Sequence, residues 1–300
     1  MSLLTLGSAA YDTIDAPYGS RDRVLGGSAI YASFAASYFT ESRLVAVVGA
    51  DWKPEYSGLL RSRGVDLQGL EIRQDGLTSH WSGRYFDDMN QRESNFYHAN
   101  VMDESYDPIV PDSYRDTPYV LLANGSPALD MALLDKIQKP KLVIADTMDF
   151  YINNMRGELL ELLTRIDGLI LNDSEASLLT GKREAYDAAD ALLELGPKFV
   201  IVKRGEYGAF WYTREQVYLT TAFPTRKVVD PTGAGDSFAG AMLGCLAQSQ
   251  RLDSESIKKA LFYATVVASF TVEGFSLERL QFVTRADVEK RAALFREALV

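Results

Sequence analysis

Histidine and cysteine are almost missing from this chain of 300 residues: His80 and His98 are the imidazoles and Cys245 is the one thiol. One cysteine excludes an intramolecular disulfide framework and fits a reducing, cytoplasmic setting. Cys245 lies among Gly244, Leu246 and Ala247 and reads as a small core residue, not a nucleophile. Two histidines exclude a histidine-rich metal site. A basic excess is lacking too. With 31 Lys and Arg against 41 Asp and Glu, the net charge is −10, which argues against non-specific nucleic-acid binding but leaves room for a local positive pocket. The sequence has neither an apolar run of membrane-spanning length nor a basic, cleavable leader, so neither a membrane partner nor secretion is expected. What is there, 47% hydrophobic and 24% charged residues, is the make-up of a globular α/β enzyme with a sizeable core.

The pattern along the chain is a strand–helix alternation. Leu3–Gly7 predicts a buried strand, followed by a loop through Asp12 and Asp15. Gly26-Gly27 opens a helix of small and apolar residues running to Ala36, and Leu44–Val48 predicts a second strand, with a helix over Tyr56–Arg63. Short aromatic strands with a polar turn at 87–90 occupy 69–100 and read as a β-excursion outside the main sheet. Apolar runs at Val120–Ala123, Leu142–Ala145, Gly168–Leu171 and Phe199–Val202 then alternate with helices around 130–137, 155–164 and 174–179. Repeated βα units imply a three-layer α/β/α domain with a mostly parallel sheet. Such sheets bind ligands beyond the carboxyl ends of their strands.

The most informative segment is Val228-Val-Asp-Pro-Thr-Gly-Ala-Gly-Asp-Ser237. Its valines suggest the end of a strand, its glycines a tight turn, and the residues from Ser237 a closely packed helix. A glycine turn opening a helix leaves backbone N–H groups without intrahelical partners, and the helix dipole adds partial positive charge there. Such a place suits an anion. Asp236, in the first turn, either caps the helix or accepts a proton from a hydroxyl attacking a phosphoryl group. Asn172-Asp-Ser-Glu175 follows a strand and reads on its own as an N-cap, Asn172 or Asp173 capping. Lys203-Arg-Gly-Glu-Tyr-Gly208 follows another strand and reads as a glycine turn carrying a compact cation, or as a solvent-facing hairpin.

The run Asp230–Ser237 closely resembles the C-terminal motif of the ribokinase-like (PfkB) carbohydrate kinases. The resemblance extends from Gly7 to Gly274, and it implies a single domain over 1–300 with a small inserted β-sheet lid built from about 12–25 and 69–100. It implies ATP-dependent phosphoryl transfer to a hydroxyl of a small sugar or polyol, with a nucleoside as the alternative acceptor. Asp236 would be the general base, and Gly233, Ala234 and Gly235 the anion hole. Asn172 and Glu175 would organise Mg2+, Asn172 through water, while Asn172, Lys203, Gly205, Gly208 and Thr232 would lie beside the nucleotide. Asp12, Gly26, Gly27 and Tyr31 would meet the acceptor, and Gly49-Ala50-Asp51 fits the family's strand end.

Two departures stand out. Tyr31 replaces a common asparagine, and Asp146 is followed by Thr147, Met148, Asp149 and Phe150 where many members have Asp-x-Asn-x-Arg. Both are expected on the acceptor or structural side.

Other classes fit less well. Gly181-Lys182 lacks the P-loop spacing, and no Gly-x-Gly-x-x-Gly follows the first strand. A non-catalytic sugar- or nucleotide-binding regulator on the same fold would be expected to lose Asp236. The lid aromatics Trp81, Tyr85, Phe86, Phe96 and Tyr97 are expected to bury against the body, the substrate or the lid of a second copy in a homodimer.

Overall fold

The computed structural model describes residues 1–103 and 106–299. Its first half comprises strands β1 (Ser2–Gly7), β2 (Ala10–Ala16) and β3 (Gly19–Gly26), helix α1 (Ser28–Ala36), strand β4 (Glu41–Val48), helix α2 (Pro54–Ser62), and strands β5 (Val65–Ile72), β6 (Ser79–Tyr85) and β7 (Arg92–His98). Then come β8 (Tyr119–Ala123), α3 (Pro127–Leu134), β9 (Leu142–Asp146), α4 (Asp149–Asn154), α5 (Arg156–Leu163), β10 (Gly168–Asn172), α6 (Asp173–Thr180) and α7 (Ala185–Leu193). The chain closes with β11 (Phe199–Lys203), β12 (Ala209–Tyr212), β13 (Val217–Thr220), α8 (Ala234–Ser249), α9 (Ser254–Thr271) and α10 (Arg285–Ala298).

Nine strands form the central sheet in the order β13-β12-β11-β10-β9-β8-β1-β4-β5. From β11 to β5 all neighbours run parallel, and the β12–β13 hairpin adds an antiparallel edge. The inner strands are apolar runs because both faces of the sheet are covered. One face packs against α1, α8, α9 and α10 through Phe34, Met242, Val266 and Phe295. The other packs against α3, α5, α6 and α7 through Leu133, Leu162, Leu179 and Leu192.

The small residues of α1 and α8 serve close approach. A Cβ on Gly240 would lie 2.0 Å from the Ala32 carbonyl oxygen, so only glycine lets these helices touch there. That contact sets where the start of α8 points.

A second sheet, β3-β2-β6-β7, stands apart, with β2 parallel to β6 and its other pairs antiparallel. Asp51, beyond β4, ties it to the body: its carboxylate accepts from Thr78 N at 2.7 Å and from Arg23 Nη2 at 2.6 Å.

Several expectations need correction. Gly69–Ile72 is the end of β5 and belongs to the central sheet, where Val45 pairs with Gly69 and Val48 with Ile72. Its aromatic and polar successors had masked that boundary. Asp12 and Asp15 lie on β2, not in a loop; a bulge between Asp12 and Ile14 breaks the alternation that would have revealed the strand. Val228 and Val229 lie outside any strand, and Val229 N donates to the carbonyl of Val272 just past α9, at 2.7 Å. Helix α3 begins at Pro127, which places Asp130 in its first turn. The hairpin β12–β13 and helices α4, α7, α9 and α10 went unpredicted, their apolar positions being too sparse or too uniform to show a period.

Candidate active site

The carboxyl ends of β9, β10 and β11 lie side by side, because Asn172 pairs with Lys203 and Ile170 with Asp146. Each delivers a polar group to one edge. Lys203 Nζ donates to Asp146 Oδ2 at 2.7 Å, both side chains largely buried. Burial pulls the ammonium down, but Asp146 and Glu175 outweigh it and hold its pKa above the ordinary lysine value.

Asn172 and Glu175 form a complete capping box at α6. Glu175 N donates to Asn172 Oδ1 and Asn172 N to Glu175 Oε2, each at 2.8 Å. Glu175 is also an electrostatic neighbour of Lys203, while burial pushes its pKa to about 7.

Opposite this edge, Gly233 caps α8 in the left-handed region at φ 76°. Two constraints demand glycine here, since a Cβ would also strike the Tyr31 ring at 2.4 Å. Ala234 N closes the turn onto the Pro231 carbonyl at 3.1 Å, while the amides of Gly233 and Gly235 have no hydrogen-bond acceptor among the described residues. Gly235 faces Lys203, whose Nζ would lie 3.1 Å from a Cβ there. Asp236 is in the same turn. Burial first, then Asp146, raises its pKa to about 6 against the pull of Lys203 and Arg92.

Asp12, Gly26, Gly27 and Tyr31 also converge. Asp12 is buried against Gly26, where a Cβ would come within 2.0 Å of its Oδ2. Burial, with Asp230 and Asp236 nearby, pushes its pKa to about 8. Tyr31, from α1, is buried with a hydroxyl that has no partner, and Asp12, Asp230 and Asp236 are its charged neighbours.

Beyond Lys203 opens a cleft of about 620 Å³ whose lining includes Gly205, Gly208, Gly235, Phe238, Ala268 and Val272. Gly205 and Gly208 shape its rim at φ 52° and 89°, and a Cβ on Gly208 would lie 2.0 Å from the Thr220 carbonyl oxygen. The polar turn 87–90 of the small sheet also lines it. Thr232 faces elsewhere: its Oγ1 donates to Tyr85 Oη at 3.2 Å and its amide to Asp230 Oδ1 at 2.9 Å.

Sequence reasoning missed three groups. Asp146, expected on the acceptor or structural side, holds Lys203 at the edge that faces Gly235 at the start of α8; its place at the end of an apolar run was the available signal. Arg92 is an electrostatic neighbour of Asp12, Glu175 and Asp236 from the small sheet, and no local pattern marks it. Asp230 lies beneath Thr232, buried, with one carboxylate oxygen unpartnered.

The residues fit a hydrated divalent cation. Asp146, Glu175 and Asp236 outnumber Lys203 and Arg92 at this edge. No group of three or more His, Cys, Asp or Glu among the described residues could hold a metal by itself. Magnesium, which keeps several waters and needs one or two carboxylates, suits such a surplus of negative charge.

A layered α/β/α body with polar groups gathered at the carboxyl ends of its parallel strands and a small attached β-sheet is the ribokinase-like kinase fold. The chain matches the pfkB family carbohydrate kinases over residues 2–279 and belongs to that family, which makes it a phosphotransferase with an alcohol group as acceptor. It is 28% identical to the cytidine kinase of Thermococcus kodakarensis over 262 residues, 84% of this chain and 91% of that one. In fold it is similar to the Burkholderia thailandensis nucleoside kinase solved with inosine (TM-score 0.79, 20% identity, covering 99% and 98% of the two chains). It is likewise similar to the Arabidopsis thaliana ribokinase solved with ribose and ATP (TM-score 0.76, 21% identity, covering 97% and 98%). No helix among the described residues is long and apolar enough to cross a membrane.

Proposed function

We propose that this kinase transfers the γ-phosphoryl group of ATP to a hydroxyl of a small sugar, polyol or nucleoside, with Asp236 as the general base. The observation that carries the reading is the start of α8, where Asp236 and the amides of Gly233 and Gly235 share one turn facing Lys203. The acceptor hydroxyl gives its proton to the Asp236 carboxylate while its oxygen bonds to the γ-phosphorus. The bond to the β–γ bridging oxygen breaks, and ADP leaves. Phosphoryl transfer needs chiefly positioning and charge stabilisation. The Gly233–Gly235 turn supplies the latter through its amides and helix dipole.

Lys203 would neutralise the nucleotide phosphates, with Gly205 and Gly208 allowing close backbone approach at the cleft. Its apolar wall of Ala222, Pro224, Ala268 and Val272 suits the adenine ring. Glu175, with Asn172 through water, would hold magnesium, which supplies further neutralisation of phosphate charge. Thr232 acts by holding the turn to Tyr85, and Asp12, Gly26, Gly27 and Tyr31 bind the acceptor. The small sheet then serves as a lid that excludes water. A second copy would pair through the exposed β7, and the setting would be cytoplasmic, in keeping with one buried thiol.

A panel of sugars, polyols and nucleosides assayed with ATP and magnesium for ADP release tests the reading. Release dependent on one acceptor class is expected. Silence across the panel together with absent ATP binding would overturn it.

A further inference from the structure

We propose that Arg92, on the small sheet, is a catalytic cation of this kinase. Its guanidinium meets the phosphoryl group in transfer and neutralises the charge that develops on the oxygens there. This rests on the phosphoryl-transfer reading and adds to Lys203 of the body a second cation, carried by the lid.

Register puts Arg92 on the inner face of that sheet. It opens β7 opposite Tyr85, while Trp81 stands opposite Asp12. Paired residues share a face, as do residues two apart along a strand, so Asp12, Trp81, Tyr85 and Arg92 face the same way. That way is toward the start of α8, because the Tyr85 hydroxyl lies 3.2 Å from Thr232 Oγ1 in the turn before it. Arg84, one residue off, points outward and pairs with Asp15 at 3.4 Å.

The guanidinium is held but not neutralised. Its carbon lies 5.6 Å from the centre of the Trp81 ring, within cation–π reach. The ring gets there by lying over Gly83, where a Cβ would come within 2.1 Å of it, and Trp81 Nε1 donates to Ser94 Oγ at 3.2 Å. A side chain at 83 would push the ring away. Arg21, Arg23 and Arg84 of the same sheet each pair with a carboxylate. Arg92, exposed, has no ion-pair partner among the described residues. An arginine positioned by an aromatic ring and left unpaired is available for an anion.

Its surroundings place that anion at the reacting centre. Burial raises the carboxyls of Asp12, Glu175 and Asp236, and Arg92 is among the charges that pull each of them back. Asp236 also feels Lys203, so the proposed base has one cation from the body and one from the lid. The turn 87–90, just before Arg92, lines the cleft proposed for the nucleotide, and Asp12 lies on β2 across β6. Arg92 thus stands between the two ligands, where the phosphoryl group leaves one for the other. As the acceptor oxygen bonds to phosphorus and the bond to the β–γ bridging oxygen breaks, charge is shared among the phosphoryl and bridging oxygens. A planar guanidinium can donate to two of them at once.

The test compares the wild type with Arg92→Ala, Arg92→Lys and Arg84→Gln on whichever sugar, polyol or nucleoside gives ADP release. Arg92→Ala should lose at least about tenfold in kcat, and up to roughly 10⁴-fold, with both KM values within about threefold, as for a group acting on the transition state. Arg92→Lys, a point charge without the fork, should fall in between. Added guanidinium should restore part of the Arg92→Ala activity, which a structural role would not allow. Arg84→Gln, on the outer face, should stay within about twofold of the wild type. A smaller loss in kcat, or a raised KM with kcat kept, would overturn the assignment. If no acceptor releases ADP, the phosphoryl-transfer reading falls, and calorimetric binding of ADP and magnesium with aluminium fluoride, a planar mimic of the phosphoryl group, decides Arg92 by itself. The wild type should then bind that set at least about tenfold tighter than ADP and magnesium alone, and Arg92→Ala should lose the gain. An equal gain in both proteins, or none in the wild type, would overturn the role of Arg92 as well.

Discussion

Lys203 on β11 and Asp146 on β9 meet at 2.7 Å across the end of the intervening strand β10. The pair lies largely out of water, with Glu175 and Asp236 as its charged neighbours. In such a place each charge depends on the other: separating them leaves an ion that burial has stripped of solvent.

Lys203→Met should therefore cost about 3–5 kcal/mol of stability, the usual loss when one partner of a buried pair is removed. The double variant Lys203→Met with Asp146→Leu should recover much of that loss while remaining inactive. Urea unfolding of both proteins measures it, and a double variant as unstable as the single one would show that the lone charge is not the cause.

Asp236→Asn should keep the fold and ATP binding and lower turnover by roughly 10²–10⁴ on a confirmed acceptor. The substitution keeps the shape and removes the proton acceptor. A loss below tenfold would make Asp236 a helix cap.

The pH dependence follows from the raised pKa of Asp236, about 6. A general base works unprotonated, so kcat/KM should climb as pH rises through about 6 and level off above it. The residual activity of Asp236→Asn should lack that climb. A wild-type profile flat from pH 5 to 8, on about the unperturbed carboxylate scale, would contradict the assignment.

Asp12 links stability to pH in a definite sense. Its folded pKa of about 8 exceeds the ordinary carboxyl value, so the folded state keeps a proton that the unfolded chain releases. Its contribution is full below the unfolded value near about 4 and is lost as pH rises through about 8. Asp12→Asn should thus gain in Tm over the wild type at alkaline pH more than at pH 5, while raising the acceptor KM. Calorimetric scans across pH read the first effect, and a constant Tm difference would refute it.

Gly233→Ala should impair both stability and turnover. It forces an L side chain into the left-handed region and drives a Cβ into the Tyr31 ring. A cost of about 1–3 kcal/mol is expected for such backbone strain. Retention of full activity with an unchanged melting temperature would show that the turn yields without consequence.

What the sequence by itself determined was local. The glycine turn before α8, the cap Asn172–Glu175, the cation Lys203 and the apolar runs of the inner strands are legible because each depends on residues a few positions apart, as does the alternation behind the three-layer body. The tertiary structure decided what depends on distant segments meeting. Asp146 reaches Lys203 only because β9 and β11 flank β10, and Tyr31 lies over Gly233 only because α1 packs against α8. Gly69–Ile72 joined the central sheet and Asp12 a strand because pairing partners, absent from local pattern, settled both. Burial settled the rest: whether Asp12, Asp130 or Asp236 keeps its proton depends on how much water and charge the folded chain leaves around it, which no spacing of residues encodes.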